Sequence, residues 1–501
     1  MHRRQLAAAI RKHPERSPRV AIVGAGLSGL GIAAQLKEAG VSDLVLYEKA
    51  DGPGGTWRDN TYPGAACDVP SHLYSFSFAH KPDWSRKFAE QPEILGYVDE
   101  LVERFGLEPL IRYGTEVRSA TYDEDAAEWT LTLGNGTTHV ADVFVAATGQ
   151  LSLPAIPALP GVETFEGTSF HSARWDHEHD LAGESVAVVG TGASAIQFVP
   201  PVAEQAGALT IFQRTPSYVA PKPDRPFSDT ERRRFEKVPG LSRLYRWSIY
   251  WRFEARFVAF KQGSWLGRKI KAKFDEGLAA LVSEDLPAEA VIPDYPVGCK
   301  RLLISDDYYP ALLRPNVRMV GEPIERIEAD AVVTADGERH EVDTIIWGTG
   351  FQTTRFLAPV DVIGLGGMSL QREWKDGAEA HLGLTVTGFP NLFLLYGPNT
   401  NLGHNSILFM VERQIDYVLQ CLRHLVVTGE TALELKPEVQ EAGTRDIDRR
   451  MTSTVWAASC SSWYKTATGR VTNNWPGFTV QYWKATLKPR FQDYRRLTRS
   501  R

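Results

Sequence analysis

Twice along this chain an apolar run breaks at a glycine-rich turn and passes directly into a helical pattern. The first case spans residues 19–40, with Gly24-Ala25-Gly26-Leu27-Ser28-Gly29 at the turn and a second apolar run at 41–49. The second spans 184–214, with Gly190-Thr191-Gly192-Ala193-Ser194-Ala195 at the turn. A strand, a G-x-G-x-x-G/A turn and a helix build the β-α-β unit that holds a dinucleotide. The first glycine makes the tight turn, the second lets the pyrophosphate approach the backbone, and the third position packs helix on strand. The helix N-terminus then faces the phosphates. Two such units predict an α/β chain with two Rossmann-like dinucleotide-binding domains.

The units differ where they would read the ribose. Glu48 lies nineteen residues past the third motif position of the first unit; at the same offset the second unit has Arg214. A carboxylate accepts hydrogen bonds from free ribose hydroxyls, whereas a guanidinium holds a 2′-phosphate. The first unit therefore suits FAD and the second suits NADPH rather than NADH. Thr215 adds a hydroxyl donor beside Arg214. The second set comprises Gly190, Thr191, Gly192, Ala193, Ser194 and Ala195, with Gln197 two residues on. Together the two dinucleotides imply hydride transfer from nicotinamide to flavin.

With 501 residues, the chain is too long for one ordinary core. Residues 1–19 read as a polar N-terminal extension, and 20–155 as the first part of an FAD-binding domain. A proline-rich stretch at 150–161 marks a boundary. Residues 156–345 read as an NADP-binding domain, inserted in the FAD domain. It carries a helical insertion at about 226–289, where Trp247, Tyr250, Phe253, Phe257 and Phe260 fall at helical spacing and read as the face of a core-facing amphipathic helix. The lining of a wide entrance and contact with a membrane surface are the other readings of these aromatics. Residues 346–501 read as the second part of the FAD domain with a C-terminal active-site segment. A net charge of −5 lacks the basic excess of a nucleic-acid binder. Of the four cysteines, Cys67, Cys299, Cys421 and Cys460, no two have the close spacing of a zinc or dithiol site, so no metal is expected. Their scarcity fits a reducing compartment. The N-terminus lacks a signal-peptide core, no apolar stretch makes a good membrane span, and a cytoplasmic location is expected. A flavin reductase of disulfides passes electrons to a close cysteine pair. Without one in the sequence, molecular oxygen is the simplest remaining acceptor.

Four further motifs carry a resemblance. Phe165-Glu166-Gly167 with His171 and Trp175-Asp176 matches F-x-G-x-x-x-H-x-x-x-W-(P/D) just before the second glycine turn. Gly54-Gly55-Thr56-Trp57 is followed by Tyr62-Pro63-Gly64 and Asp68. Ala147-Thr148-Gly149 and Gly348-Thr349-Gly350 complete the set. The chain thus resembles the type I Baeyer–Villiger monooxygenases of the flavin-containing monooxygenase superfamily over residues ~20 to ~480. The resemblance implies an NADPH- and O2-dependent oxidation of a ketone to an ester or lactone through a C4a-peroxyflavin. It places Arg301 as the catalytic cation, Asp68 as the carboxylate that orients it, and Lys300 at the 2′-phosphate with Arg214. It places Ser28 at the FAD pyrophosphate, Val117 near the adenine, Thr56, Trp57 and Tyr74 at FAD, and Trp463 over NADP. His171 and Trp175 are expected to have a structural or gating role at the link between domains. The segment from Ser462 to Arg470 and Asn473 to Gly477 departs from the small-ring ketone enzymes' SW-x-x-GAN-x-PGK, so their substrates do not carry over. Oxygenation of nitrogen or sulfur is the alternative within flavoenzymes, and sulfoxidation is compatible with either reading. Outside catalysis the alternative is a redox sensor. Neither the ketone nor the oligomeric state is legible.

Overall fold

The computed structural model describes residues 1–283, 286–460 and 462–497. Residues 284–285 of the expected insertion and 498–501 of the expected final segment lie outside the described residues. Two five-stranded parallel sheets dominate. The first runs, edge to edge, Leu392–Leu394, Val143–Ala146, Val20–Val23, Leu44–Tyr47, Ile111–Arg112. Val20 pairs with both Leu44 and Val143. The second runs Val317–Val320, Ala208–Phe212, Ser185–Val189, Thr344–Trp347, Thr168–His171. The central strands Val20–Val23 and Val143–Ala146 are buried along their whole length. Continuous burial is the reason they are unbroken apolar runs rather than alternating ones.

Each sheet is covered differently on its two faces. One face of the first packs on the helices Leu27–Glu38 and Ile407–Thr428 in the largest core cluster. The other carries Ala21, Val23 and Phe144 against Trp129 and Leu131 of a four-stranded sheet. The second sheet repeats this arrangement. Val186 and Val188 meet the Ala195–Gln205 helix; Ala187, Ile345 and Trp347 meet Val332 of a three-stranded sheet. The strand Leu392–Leu394 returns to the first sheet after the chain has built the second.

Two expectations change. The first residues are not merely a polar extension: His2–Lys12 is a helix with Leu6, Ala9 and Ile10 buried in the first core. The spacing i, i+3, i+4 is an apolar stripe, hidden in the sequence by the surrounding Arg and His. The aromatic helix of the insertion is also not simply core-facing. Leu241–Ala255 buries Ile249 and Tyr250 in the first core, and Phe257 and Phe260 just beyond it join a cluster with Trp456 and Tyr464. Trp247, however, is half exposed. Among the described residues no helix is long and apolar enough to cross a membrane.

Candidate functional site

The two glycine turns and the motifs at 147–149 and 348–350 gather at the carboxyl ends of parallel strands, where an open α/β sheet offers a crevice; Phe165–Gly167 lie at the amino end of theirs. Gly24 follows Val23 with φ +104°, and a Cβ there would stand 2.6 Å from the Ala147 carbonyl oxygen. Gly190 repeats this after Val189, with φ +102° and Gly348 O at 2.7 Å. Only glycine fits either place. At Gly26 and Gly192 the reverse holds. A Cβ would meet nothing nearer than 4.0 and 3.9 Å, so the mouth of each turn is open on the side where a pyrophosphate would lie. Ser28 sits in the first turn of the following helix, and Gly29 packs so closely that a Cβ would lie 1.9 Å from Gly24 O. In the second unit Ala195 is buried at the helix start, Ser194 precedes it, Thr191 is buried and Ala193 is exposed. These turns fit the phosphates of two dinucleotides.

Glu48 is buried at the end of its strand and accepts hydrogen bonds from the Ala25 amide at 2.8 Å and the Ala50 amide at 3.0 Å. Arg58 approaches it at 3.4 Å. A carboxylate has about four acceptor positions, which leaves capacity for a ribose. A cleft of about 530 Å³ lies alongside, between Lys49–Asp51, Arg58 and Glu116 on one wall and Arg174–Trp175 on another. Val117 follows Glu116 as a buried residue. The Gly54 amide donates to Ala25 O at 3.0 Å, which brings Gly55-Thr56-Trp57 over the first glycine turn. Thr56 begins a one-turn helix; the Trp57 indole N–H donates to the Tyr74 hydroxyl at 3.0 Å, with the rings edge to face.

Arg214 is exposed two residues beyond its strand. Lys300 donates from Nζ to Thr215 Oγ1 at 2.6 Å and lies 4.6 Å over the Tyr295 ring. Burial first, and the Arg214 cation second, hold Lys300 below the usual lysine range. Two adjacent cations and a hydroxyl form a donor set suited to a phosphate. Gln197 is placed otherwise. It accepts from the Tyr62 hydroxyl at 3.0 Å and donates to Ala66 O at 3.0 Å. Its amide joins the second unit to the loop that leads to Asp68.

Arg301 and Asp68, 233 residues apart, meet at the end of that loop. Arg301 Nε donates to Asp68 Oδ2 at 2.9 Å, and Nη2 donates to the same oxygen. Both side chains keep more than a quarter of their surface exposed. The Asp68 carboxylate raises the Arg301 pKa further, so the guanidinium is a fixed cation. Two tyrosines absent from the sequence reading flank it. Tyr396, at φ +61° after the returning strand, donates to Asn401 Oδ1 at 2.7 Å, and Asn401 donates to Asn474 Oδ1 at 2.7 Å. Tyr464 is pushed up to about 12 by burial and drawn back by Arg301. The returning strand's carboxyl end was the available signal for Tyr396. Trp463, beside Tyr464, is half-buried; its carbonyl accepts from Thr353 and Asn473.

His171 Nε2 donates to Gly350 O at 2.9 Å while Nδ1 accepts from the Ala173 amide. Both ring nitrogens are occupied, as a structural tie requires. Trp175 packs on Phe170 and Phe198. Cys299 and Cys460 form a disulfide across 161 residues. Their separation hid the pair, and its existence removes cysteine scarcity as an argument for a reducing compartment. It also removes the lack of a cysteine pair as the ground for setting aside disulfide reduction.

Comparison with known proteins supplies an independent ground. Residues 17–228 match the family model described as flavin-binding monooxygenase-like. A protein named Baeyer–Villiger monooxygenase from Streptomyces coelicolor is 43% identical over 479 residues, 95% of this chain and 92% of that one. One of the same name from Pseudomonas aeruginosa is 42% identical over 485 residues, 96% and 92% of the two chains. Among solved structures, an oxidised steroid monooxygenase bound to NADP superposes with a TM-score of 0.84 at 30% identity, covering 96% of this chain and 99% of that one. The closed form of cyclohexanone monooxygenase gives 0.85 at 28% identity, with the same coverage.

Proposed function

Because the chain belongs to the Baeyer–Villiger monooxygenases, we propose that Arg301, held by Asp68, is the cation on which its conversion of a ketone to an ester or lactone depends. FAD and NADPH are the cofactors. One ketone, one O2, one NADPH and one proton give one ester, NADP⁺ and water. When bound, the flavin supplies, with NADPH and O2, the oxygen atom that enters beside the carbonyl.

The observation that carries the reading is the Asp68–Arg301 pair. Attack on a carbonyl places negative charge on its oxygen. A guanidinium cannot lose its proton at neutral pH, so Arg301 acts by stabilising charge and not as an acid. Of its five N–H donors Asp68 engages two. Tyr464 also lies within hydrogen-bond reach of the guanidinium; the remaining donors are available to an oxyanion, in a fixed orientation. Asp68 offsets part of the positive charge and holds the plane of the fork. Tyr396 and Tyr464 are kept neutral by burial and restrict water beside it.

The remaining assignments belong to the same proposal. Gly24, Gly26, Ser28, Gly29 and Glu48 hold the FAD phosphates and ribose, with Thr56, Trp57, Tyr74 and Val117 along the rest of the cofactor. The turn Gly190–Ala195, Arg214, Thr215 and Lys300 hold NADPH, with Trp463 closing over it. Gln197, whose amide also ties the two units together, belongs to the NADPH set. The FAD domain comprises 20–155 and 346–501, the NADP domain 156–345. The strand memberships of the two sheets support this division, except that strand Thr344–Trp347 of the second sheet carries its later boundary past residue 347. Dependence on NADPH favours a cytoplasmic site.

The test is turnover under ¹⁸O2 with a panel of ketones and thioethers. One labelled oxygen in the ester and one NADPH consumed per ester are expected, with sulfoxides as side products. Labelled sulfoxide or N-oxide with every ketone untouched would turn the assignment to a nitrogen- or sulfur-oxygenating enzyme.

A further inference from the structure

The Leu241–Ala255 helix has more apolar surface than the protein uses. Its inner face is anchored firmly. Arg246 is buried and donates to the carbonyls of His72, Leu73 and Ser75. Glu254 accepts from Asn405 and Thr479 and from the Val480 amide. Ile249 and Tyr250 complete the attachment. The outer face carries Leu244, Trp247 and Trp251, which are 70%, 50% and 56% exposed. Spacings of three and four residues stack these three in one stripe. Single exposed apolar residues need no explanation, but two tryptophans and a leucine in one row on a rigid helix do.

Arginines rim the stripe. At 100° per residue Arg252 falls on one flank and Arg243 on the other, and both are exposed; Arg256, just past the helix, lies over the Phe253 ring further round. Lys87 and Arg225 from neighbouring loops lie near Arg252, with Arg225 itself paired to Glu231; burial first, then Arg252 and Arg225, hold Lys87 below the usual lysine range. Between Leu241 and Lys273 there are nine Lys or Arg and one acid, the buried Glu254, a net +8 that leaves the rest of the chain at −13. The segment that carries the exposed aromatics is thus strongly positive within an acidic chain.

We propose that this face of the Leu241–Ala255 helix docks on an anionic lipid surface, with Leu244, Trp247 and Trp251 set at the headgroup level and the arginine rim paired with lipid phosphates. Tryptophan is suited to that boundary, having an apolar body and a polar N–H. Arginine covers apolar surface with its stem and keeps its head in the charged layer. A second copy of the chain is a poor occupant, because a two-fold contact would set one arginine rim against the other. A nucleic acid matches the charge but not an apolar centre built on Leu244. The inference does not depend on which ketone is oxidised.

Flavin-loaded protein is sedimented with vesicles of phosphatidylcholine alone and of phosphatidylcholine mixed with phosphatidylglycerol. Binding to the mixed vesicles only, weakened by salt, is expected. Arg243→Gln with Arg252→Gln should weaken it roughly twentyfold or more, at about fivefold per charge. Leu244→Ser, Trp247→Ser and Trp251→Ser together should abolish it while flavin content and turnover of a water-soluble ketone stay unchanged. No binding to mixed vesicles overturns the proposal, as does undiminished binding by the triple variant. A DNA mobility shift, or a dimer lost in the triple variant, overturns it if vesicles are not bound.

Discussion

Arg301 is a single side chain on which a rate can be read. Arg301→Ala is expected to leave NADPH oxidation measurable and to lower ester formation by roughly 100-fold or more, the usual cost of removing a group that stabilises an oxyanion. Ester yield per NADPH is the measurement; an unchanged ratio would sink the assigned role. Arg214→Ala removes one charge-assisted contact, worth about 1.5–3 kcal/mol. KM for NADPH should rise roughly 10- to 100-fold and KM for NADH little. Equal rises would refute a 2′-phosphate contact. Both residues were legible, Arg214 by counting against Glu48 and Arg301 by resemblance. Tyr396 and Tyr464 were not, because their nearness to Arg301 depends on where a late strand and a late loop come to rest. Gln197 shows the opposite limit. It stands within a motif, yet its amide is engaged by Tyr62 and Ala66.

Among elements, the strand–turn–helix units were plain because buried parallel strands carry an unbroken apolar signal. The His2–Lys12 helix was missed because its apolar centre is only five residues long, Leu6 to Ile10, between His2, Arg3 and Arg4 on one side and Arg11 and Lys12 on the other. Its stripe acquires meaning only through the Ile407–Thr428 helix it covers, which lies four hundred residues away. Leu6 is fully buried there. Leu6→Ala should therefore cost about 2–5 kcal/mol, as a buried leucine does in a close-packed core. Urea unfolding checks this; a change below about 0.5 kcal/mol would mean that the helix is not docked in solution. The Cys299–Cys460 link was illegible for a related reason, since nothing local marks a partner 161 residues away.

For the whole molecule the seam between the insertion and the first domain contributes to the response to acid. His72 is buried among Phe227, Phe235 and Tyr245, with ring centres 5.2, 4.5 and 5.1 Å away. Burial, and then the neighbouring His80, hold its pKa at about 4. The unfolded chain has an ordinary histidine, near 6.5. Its neutral form favours the folded state fully above pH 6.5, and that advantage is lost as pH falls from 6.5 towards 4, where protons bind the unfolded chain first. The loss is on the order of 3 kcal/mol. Stability measured across this window should fall for the wild type and fall less for His72→Phe; parallel curves would show that the seam is not the acid-sensitive element.

The order of strands also carries a consequence in time. All five strands of the second sheet come from residues 168–347, whereas the first sheet takes its edge from Leu392–Leu394. Roughly 250 residues separate Ala146 from Leu392, so at about 5–20 residues per second a ribosome needs on the order of tens of seconds to deliver that strand. Through that interval the earlier half of the molecule waits with an open backbone edge, and with its Leu27–Glu38 helix lacking the Ile407–Thr428 cover. The nested half closes on itself first, although it is made second. A message truncated before codon 394 would leave the outer half permanently in that exposed state, which makes it a substrate for chaperones and proteases rather than a smaller enzyme.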